Sequence, residues 1–155
     1  MKVLTVCLGN ICRSPLAEVL VRQALQEAGI EANVDSAGTG DWHRGELPDA
    51  RARQVASENG IELTHRARQL QEQDFFDFDH ILVMDEQNLR TVKKLQPSTS
   101  KARVKMIRDF DALGKGAVPD PYYGTRQDFT VVWNMLERSA QGFAAHVASS
   151  TVSQP

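Results

Sequence analysis

The chain has 155 residues, and its 18 basic and 20 acidic side chains give a formal net charge of −2. This length fits one domain over residues 1–155 and is too short for two. Hydrophobic residues make up 41% of the chain, enough for one packed core, which excludes disorder as the default. The charge balance lacks the basic excess of nucleic-acid-binding proteins, so we expect no nucleic-acid partner.

The N-terminal apolar run over residues 3–8 is too short for the hydrophobic region of a signal peptide or for a membrane-spanning helix. Two cysteines, Cys7 and Cys12, are too few for the framework of a disulfide-rich secreted domain. We therefore expect a cytoplasmic protein with no membrane partner.

Strand-like and helix-like patterns alternate along the sequence. In chain order they predict a strand over 2–7, a helix over 14–28, a strand over 30–36, a helix over 49–59, a strand over 79–84, a helix over 86–95, a strand over 103–107 and a helix over 125–149. About the last five residues are expected to form a loose tail. Such alternation is typical of an α/β fold with a parallel sheet of at least four strands.

Local signals refine these elements. Ser14 is the predicted N-cap of the first helix and Pro15 its first helical residue, while Gly29 fits a C-terminal cap. Trp133 and Phe143 share the apolar face of the last helix, so we assign them to packing. The glycine-containing loop after the second strand is long enough to be functional, and the loop over 110–124, with several glycines and prolines, is predicted to reach a ligand.

The segment between the first strand and the first helix reads CLGNICRSP over residues 7–15. Ligands of open α/β sheets bind at this position, and backbone amides before a helix N-terminus bind anions. Gly9 permits a tight turn, Asn10 tolerates a left-handed backbone, and Arg13 can hold two phosphate oxygens. We predict a phosphate-binding loop whose remaining members are Leu8, Ile11, Cys12 and Ser14.

Cys7 begins this loop and is the predicted nucleophile. The amides, helix dipole and guanidinium that bind phosphate also stabilise a thiolate. Ser14 can donate its hydroxyl to that thiolate and improve the sulfur as a leaving group.

Two other site classes lack the residues they require. The sequence has no Gly-x-x-x-x-Gly-Lys motif followed by Ser or Thr for a nucleotide. A zinc site is disfavoured because the close cysteine pair has no second pair, and the four histidines are scattered. We therefore expect no metal.

Several further segments carry a family resemblance. They are Asp35-Ser36-Ala37-Gly38-Thr39 with Trp42, Gly60-Ile61, His65 with Ala67-Arg68, Phe78-Asp79-His80-Ile81, Met84-Asp85 with Asn88, and Asp120-Pro121-Tyr122-Tyr123-Gly124. With the loop, they make most of the chain resemble the low-molecular-weight protein tyrosine phosphatases. The resemblance implies a single-domain three-layer α/β sandwich with a four-stranded parallel sheet flanked by helices. It also implies cofactor-free hydrolysis of phosphotyrosine and small aryl phosphates through a phosphocysteine.

The resemblance implies roles for residues outside the loop as well. Asp120 matches the general acid that protonates the departing phenolate and then activates water, which predicts a rate maximum under mildly acidic conditions. Asn10, Ser36 and His65 match residues that support the loop from beneath. Four residues match the walls of a slot for a phenyl ring: Ile11, Trp42, Tyr122 and Tyr123. The two tyrosines also match sites of phosphorylation.

Partners and redox behaviour follow from these roles. The expected ligands are phosphotyrosyl proteins or peptides, inorganic phosphate and oxyanion inhibitors, and the expected state is a monomer with at most weak self-association. Cys12 can form a disulfide with Cys7 and protect it from irreversible oxidation.

Three alternatives stay open. Protein arginine phosphatases share the fold but have threonine at the position of Ile11. Thioredoxin-linked arsenate reductases need later cysteines, and none follows Cys12, although a form that uses an external thiol fits the loop. A phosphocysteine carrier would have no need for Asp120.

Overall fold

Strands and helices alternate along the chain as the periodicity predicts. The structure is a computed structural model that describes residues 1–152. Its elements are β1 (Lys2–Cys7), α1 (Arg13–Glu27), β2 (Asn33–Gly38), α2 (Ala50–Glu58), α3 (Asp74–Asp77), β3 (His80–Val83), α4 (Glu86–Leu95), β4 (Arg103–Met106), a 3₁₀ turn (Ile107–Phe110) and α5 (Arg126–Val152). None of the helices in this part of the chain is long and apolar enough to cross a membrane.

The four strands form one parallel sheet in the order β2-β1-β3-β4. Alternate side chains of β1 enter opposite faces: Val3 and Cys7 join the core under α1 and α5, and Leu4 and Val6 join the core on the other face. The predicted three-layer α/β sandwich is thereby confirmed. Because β1 is paired on both sides, its carboxyl end, at Cys7, lies in the middle of the sheet edge.

The aromatic residues of α5 pack as predicted. Trp133 and Phe143 are both buried in the core that α5 shares with α1. Their burial contributes roughly 2 kcal/mol each to folding.

The N-cap prediction for α1 is wrong. The helix begins at Arg13, Cys12 holds the N-cap position without a side-chain cap, and Pro15 is the third helical residue. Proline costs nothing there because the first turn of a helix has no intrahelical partner for its amides. The Ser14 hydroxyl is turned instead towards Cys7 and Asn10.

The second strand begins three residues later than predicted, at Asn33. Gly29 adopts a positive φ of 74°, and the Ile30 amide donates to the Leu25 carbonyl at 2.9 Å, so Ile30 completes the end of α1. Pairing starts only where the Asn33 amide donates to the Met1 carbonyl.

Three short features depart from the predicted pattern. The helix α3 and the 3₁₀ turn occupy segments that are too brief for a periodicity to reveal. The helix α5 continues to Val152, beyond its predicted end at 149. The tail expected for the last residues falls mostly outside the described residues.

Candidate active site

The phosphate-binding loop connects the end of β1 to the start of α1. Asn10 has a φ of 57° and is the one non-glycine residue in the described chain with a positive φ. This left-handed turn directs the Asn10 amide at Cys7 Sγ, 3.2 Å away, while Ser14 Oγ lies 3.0 Å from the same sulfur. Cys7 is buried at the base of the loop, and its sulfur faces donors suited to a thiolate.

The Asn10 side chain forms the centre of the hydrogen bonding beneath the loop. Its Nδ2 donates to Ser14 Oγ at 2.8 Å and to Ser36 Oγ at 3.0 Å. Its Oδ1 accepts from the Arg68 amide at 3.0 Å, and His65 Nε2 lies 2.8 Å from the same oxygen. Since a backbone amide only donates, this contact fixes the orientation of the Asn10 amide, and His65 Nε2 therefore donates to the same oxygen.

A buried carboxylate continues this network and was not among the predicted site residues. Ser36 Oγ donates to Glu18 Oε1 at 2.7 Å, and Arg22 donates to Glu18 Oε2 at 2.7 Å. Glu18 lies on α1 one turn after Ser14, so an acidic residue at helical spacing from the loop was the available sequence signal.

The carboxylates of Glu18 and Asp35 meet His65 Nδ1 at 3.4 Å and 3.5 Å. Within the described residues, these three form the one group of His, Cys, Asp or Glu side chains whose metal-ligating atoms lie close enough together to surround a cation. Arg22 pairs with Glu18, and Arg68 pairs with Asp35. Because these arginines already balance the charges of the two carboxylates, the cluster is an ion-pair network.

Arg13 on α1 is almost fully buried, with 3% of its side chain exposed. Its guanidinium connects α1 with the start of α4 and with the loop before α5. Nη1 donates to Asp85 Oδ2 at 2.7 Å and to the Val118 carbonyl at 3.0 Å, and Nη2 lies 3.8 Å from Asp120 Oδ2. Burial by itself would lower the pKa of Arg13, but the charges of Cys7, Asp85 and Asp120 raise it above its ordinary value. The group therefore stays cationic.

Sequence reasoning assigned no role to Asp85. Its carboxylate orients Arg13 and also accepts from the Asn88 amide at 2.8 Å as the N-cap of α4. The available signal was its position just after β3, the strand beside β1, where carboxyl ends of parallel strands meet.

A cleft of about 300 Å³ opens above the loop. It is lined by all of the predicted catalytic and wall residues, which are Cys7, Ile11, Arg13, Trp42, Asp120, Tyr122 and Tyr123. Trp42 is 70% exposed and Tyr123 is 95% exposed, so aromatic surface is presented to solvent beside the phosphate loop. Ser36 and His65 do not line the cleft, in keeping with their place beneath the loop.

His43 also lines the cleft and was not predicted there. Its Nδ1 lies 2.7 Å from Glu46 Oε2, and because a carboxylate only accepts, Nδ1 carries the proton. In the sequence, its position next to Trp42 in a loop bounded by glycines could have indicated that it lies at the cleft.

The second cysteine differs chemically from the first. Cys12 is a buried free thiol, and burial together with Asp49, Cys7 and Asp120 raises its pKa far above the ordinary value. Cys12 therefore stays protonated at neutral pH.

Comparison with known proteins gives a consistent result. The model of the family described as low molecular weight phosphotyrosine protein phosphatase matches residues 2–153. A relative in Schizosaccharomyces pombe, named low molecular weight phosphotyrosine protein phosphatase, is 42% identical over 152 residues, which cover 96% of this chain and 97% of the relative.

Solved structures extend the comparison. A protein tyrosine phosphatase from Entamoeba histolytica, with Hepes in its active site, is similar with a TM-score of 0.92 and 34% identity, over 97% of this chain and 99% of that one. A Drosophila arginine phosphatase is similar with a TM-score of 0.88 and 29% identity, over 95% of this chain and 98% of that one.

Proposed function

This chain belongs to the low molecular weight phosphotyrosine protein phosphatase family, whose members are hydrolases, and on that premise we propose that it hydrolyses phosphotyrosine in proteins and peptides. Small aryl phosphates are substrates of the same site. The observation that carries the proposal is that Cys7, Arg13 and Asp120 share one cleft with aromatic side chains. Such walls favour a phenyl ring over the short stem of phosphoserine or phosphothreonine.

In the first step, Cys7 Sγ attacks phosphorus, and an S–P bond forms as the P–O bond to the aryl group breaks. Asp120 gives its proton to the departing phenolate oxygen. Arg13 and the amides of the loop bind the three phosphoryl oxygens, over which charge is spread in the transition state. Ser14 donates to the sulfur.

In the second step, water attacks the phosphocysteine and Asp120 accepts its proton. The S–P bond breaks, inorganic phosphate leaves and the thiolate returns. Inorganic phosphate and other oxyanions are then inhibitors, because they occupy the same loop.

The test is phosphate release from a phosphotyrosyl peptide by wild type and Cys7→Ser between mildly acidic and neutral pH. We expect turnover by the wild type, a maximum under mildly acidic conditions, and loss of turnover in the variant. A wild-type rate that rises steadily into alkaline pH would refute Asp120 as the acid.

Arginine phosphatase activity is the second candidate, favoured by the similarity to the Drosophila arginine phosphatase. Ile11 lines the cleft at the position where arginine phosphatases have threonine, which supports the aryl substrate. Parallel assays with phosphoarginine decide between the two. If folded, reduced protein releases phosphate from phosphoarginine alone, the assignment of phosphotyrosine as the substrate is wrong. If it acts on neither substrate, arsenate reduction becomes the leading candidate.

Cys12 is proposed to protect the nucleophile. Peroxide oxidises Cys7 to the sulfenic acid with release of one water, and Cys12 then displaces a second water to form the disulfide. Mass spectrometry after mild peroxide tests this, since sulfinic Cys7 without a Cys7–Cys12 bond would refute it.

A further inference from the structure

Arg51 on α2 binds the segment that follows Asp120. Its Nη2 donates to the Tyr122 carbonyl at 2.8 Å, and its Nη1 donates to the Gly124 carbonyl at 2.8 Å. The Gly124 amide donates in turn to the Pro121 carbonyl at 2.8 Å, so these residues form a closed turn. One guanidinium therefore holds both sides of the turn that begins beside Asp120.

Arg51 is itself held in this orientation. Asp49 Oδ1 accepts from Arg51 Nε at 3.0 Å, and Asp49 Oδ2 accepts from Arg51 Nη2 at 2.9 Å. The guanidinium carbon lies 4.6 Å from the centre of the Phe129 ring, a cation–π contact with the first turns of α5. The rotamer of Arg51 is thus set by an ion pair and by an aromatic face.

The same residues reach the phosphate loop. The Asp49 amide donates to the Ile11 carbonyl at 2.8 Å. The start of α2 consequently connects the loop that holds the nucleophile with the loop that carries Asp120, through Asp49 and Arg51.

Asp120 has little else to fix it. Its side chain is 45% exposed, and its Oδ2 is 3.8 Å from Arg13. Within residues 1–152 its Oδ1 accepts one hydrogen bond, from the nearby Tyr122 amide at 3.1 Å. The position of its carboxyl group follows that of its backbone, and proton transfer to a leaving group depends steeply on distance.

We propose that Arg51 is a positioning residue for general acid catalysis: it holds the 120–124 turn where Asp120 reaches the leaving oxygen. This inference rests on the proposed function. It assigns Arg51 no contact with substrate, so its effect must be transmitted through Asp120.

The test uses aryl phosphates whose leaving groups range from phenol to dinitrophenol, assayed with wild type, Arg51→Met and Arg51→Lys. Methionine keeps apolar contact with Phe129 but donates no hydrogen bond. A good leaving group needs no acid, so we expect kcat/KM to fall about tenfold or more for phenyl phosphate and less than about threefold for dinitrophenyl phosphate. Lysine, with a single point charge, should give an intermediate loss.

A double-mutant cycle shows whether the effect passes through Asp120. In the Asp120→Asn background, Arg51→Met should no longer change the phenyl phosphate rate, because the acid is already gone. Arg53→Met is the matched control: Arg53 lies on the same helix, and its Nε donates to the Pro48 carbonyl. It should keep the leaving-group dependence of the wild type.

Equal losses for all leaving groups, or an undiminished loss in the Asp120→Asn background, would overturn the positioning role of Arg51 while the proposed function stands. Absence of turnover of every ester by wild type would instead overturn the proposed function.

Discussion

The loop of Cys7 and the loop of Asp120 meet in one cleft but are held in different ways. Around Cys7, buried side chains of β1, the loop, α1 and β2 bond to one another, and the Asn10 side chain alone makes four hydrogen bonds. Around Asp120, a largely exposed turn depends on Arg51 and on the burial of Val118 and Pro121. The proposed phosphate site is therefore part of the buried core, whereas the proposed acid lies on a peripheral turn, and we expect its side chain to be replaceable without loss of the fold.

The largest effect should come from Arg13→Lys. Lysine keeps the charge but has one nitrogen in place of two, so it cannot bind two phosphoryl oxygens in the plane of a fork while it also bonds Asp85 and Val118 as Nη1 does. We expect kcat/KM to fall by roughly 10³-fold or more, together with a lower Tm. An unchanged Tm would show that Arg13 is not part of the buried framework and would weaken the contrast between the loops.

Asp120→Asn should separate activity from stability. The exposed side chain makes few contacts, so the free energy of unfolding should change by less than about 0.5 kcal/mol. Turnover of phenyl phosphate should fall by roughly 10²-fold, with the acidic rate maximum lost. Denaturant unfolding and a pH–rate profile check the two parts, and a large loss of stability would contradict the view of this loop as peripheral.

Asn10→Ala should damage fold and activity together. It removes four side-chain hydrogen bonds, two of them buried, and puts alanine at a φ of 57°, so we expect a loss of about 2–4 kcal/mol in the free energy of unfolding. Asn10→Gly is the matched control, because it loses the same hydrogen bonds but glycine adopts a positive φ without strain. It should be less destabilised by about 1 kcal/mol. Equal stabilities would show that the left-handed turn carries no strain.

The smallest effect on activity should come from Asp111→Asn at the start of the loop that leads to Asp120. Burial opposes ionisation of Asp111, but hydrogen bonds from Arg138, the Leu113 amide and Arg108 prevail and lower its pKa to about 2. The folded pKa lies below the unfolded value, so Asp111 stabilises the fold above about pH 4 and this contribution is lost as pH falls towards 2.

Wild type should therefore lose stability over that acidic range, and Asp111→Asn should lose less of it while being less stable at pH 6. Thermal unfolding from pH 6 to pH 2.5 measures both. Parallel curves for the two proteins would exclude Asp111 as the group responsible.

The prediction from sequence succeeded where information is local. Residues 7–15 are contiguous, and the chemistry of each type at its offset indicates a phosphate loop. Element order followed from the spacing of apolar residues. The roles given to Asp120, Ser36 and His65 came from the resemblance, because an isolated Asp-Pro, serine or histidine gives no local signal.

Other features followed only from three-dimensional contacts. Ser14 looks like a helix cap in sequence, yet a buried thiol and the Asn10 amide compete for its hydroxyl. The bond from Arg51 to Gly124 spans 73 positions and the bond from Arg13 to Asp85 spans 72, so no window along the chain contains both partners.

The sequence by itself thus determined the order of elements and the parallel α/β class, and it indicated the segment that we propose to bind phosphate, because hydrophobic periodicity and loop chemistry act between near neighbours. Only the tertiary structure decided that Asp85 orients Arg13, that Glu18 supports the loop and that Arg51 reaches the turn after Asp120. The physical reason is that hydrogen bonds and ion pairs act over about 3 Å in space, whatever the separation along the chain.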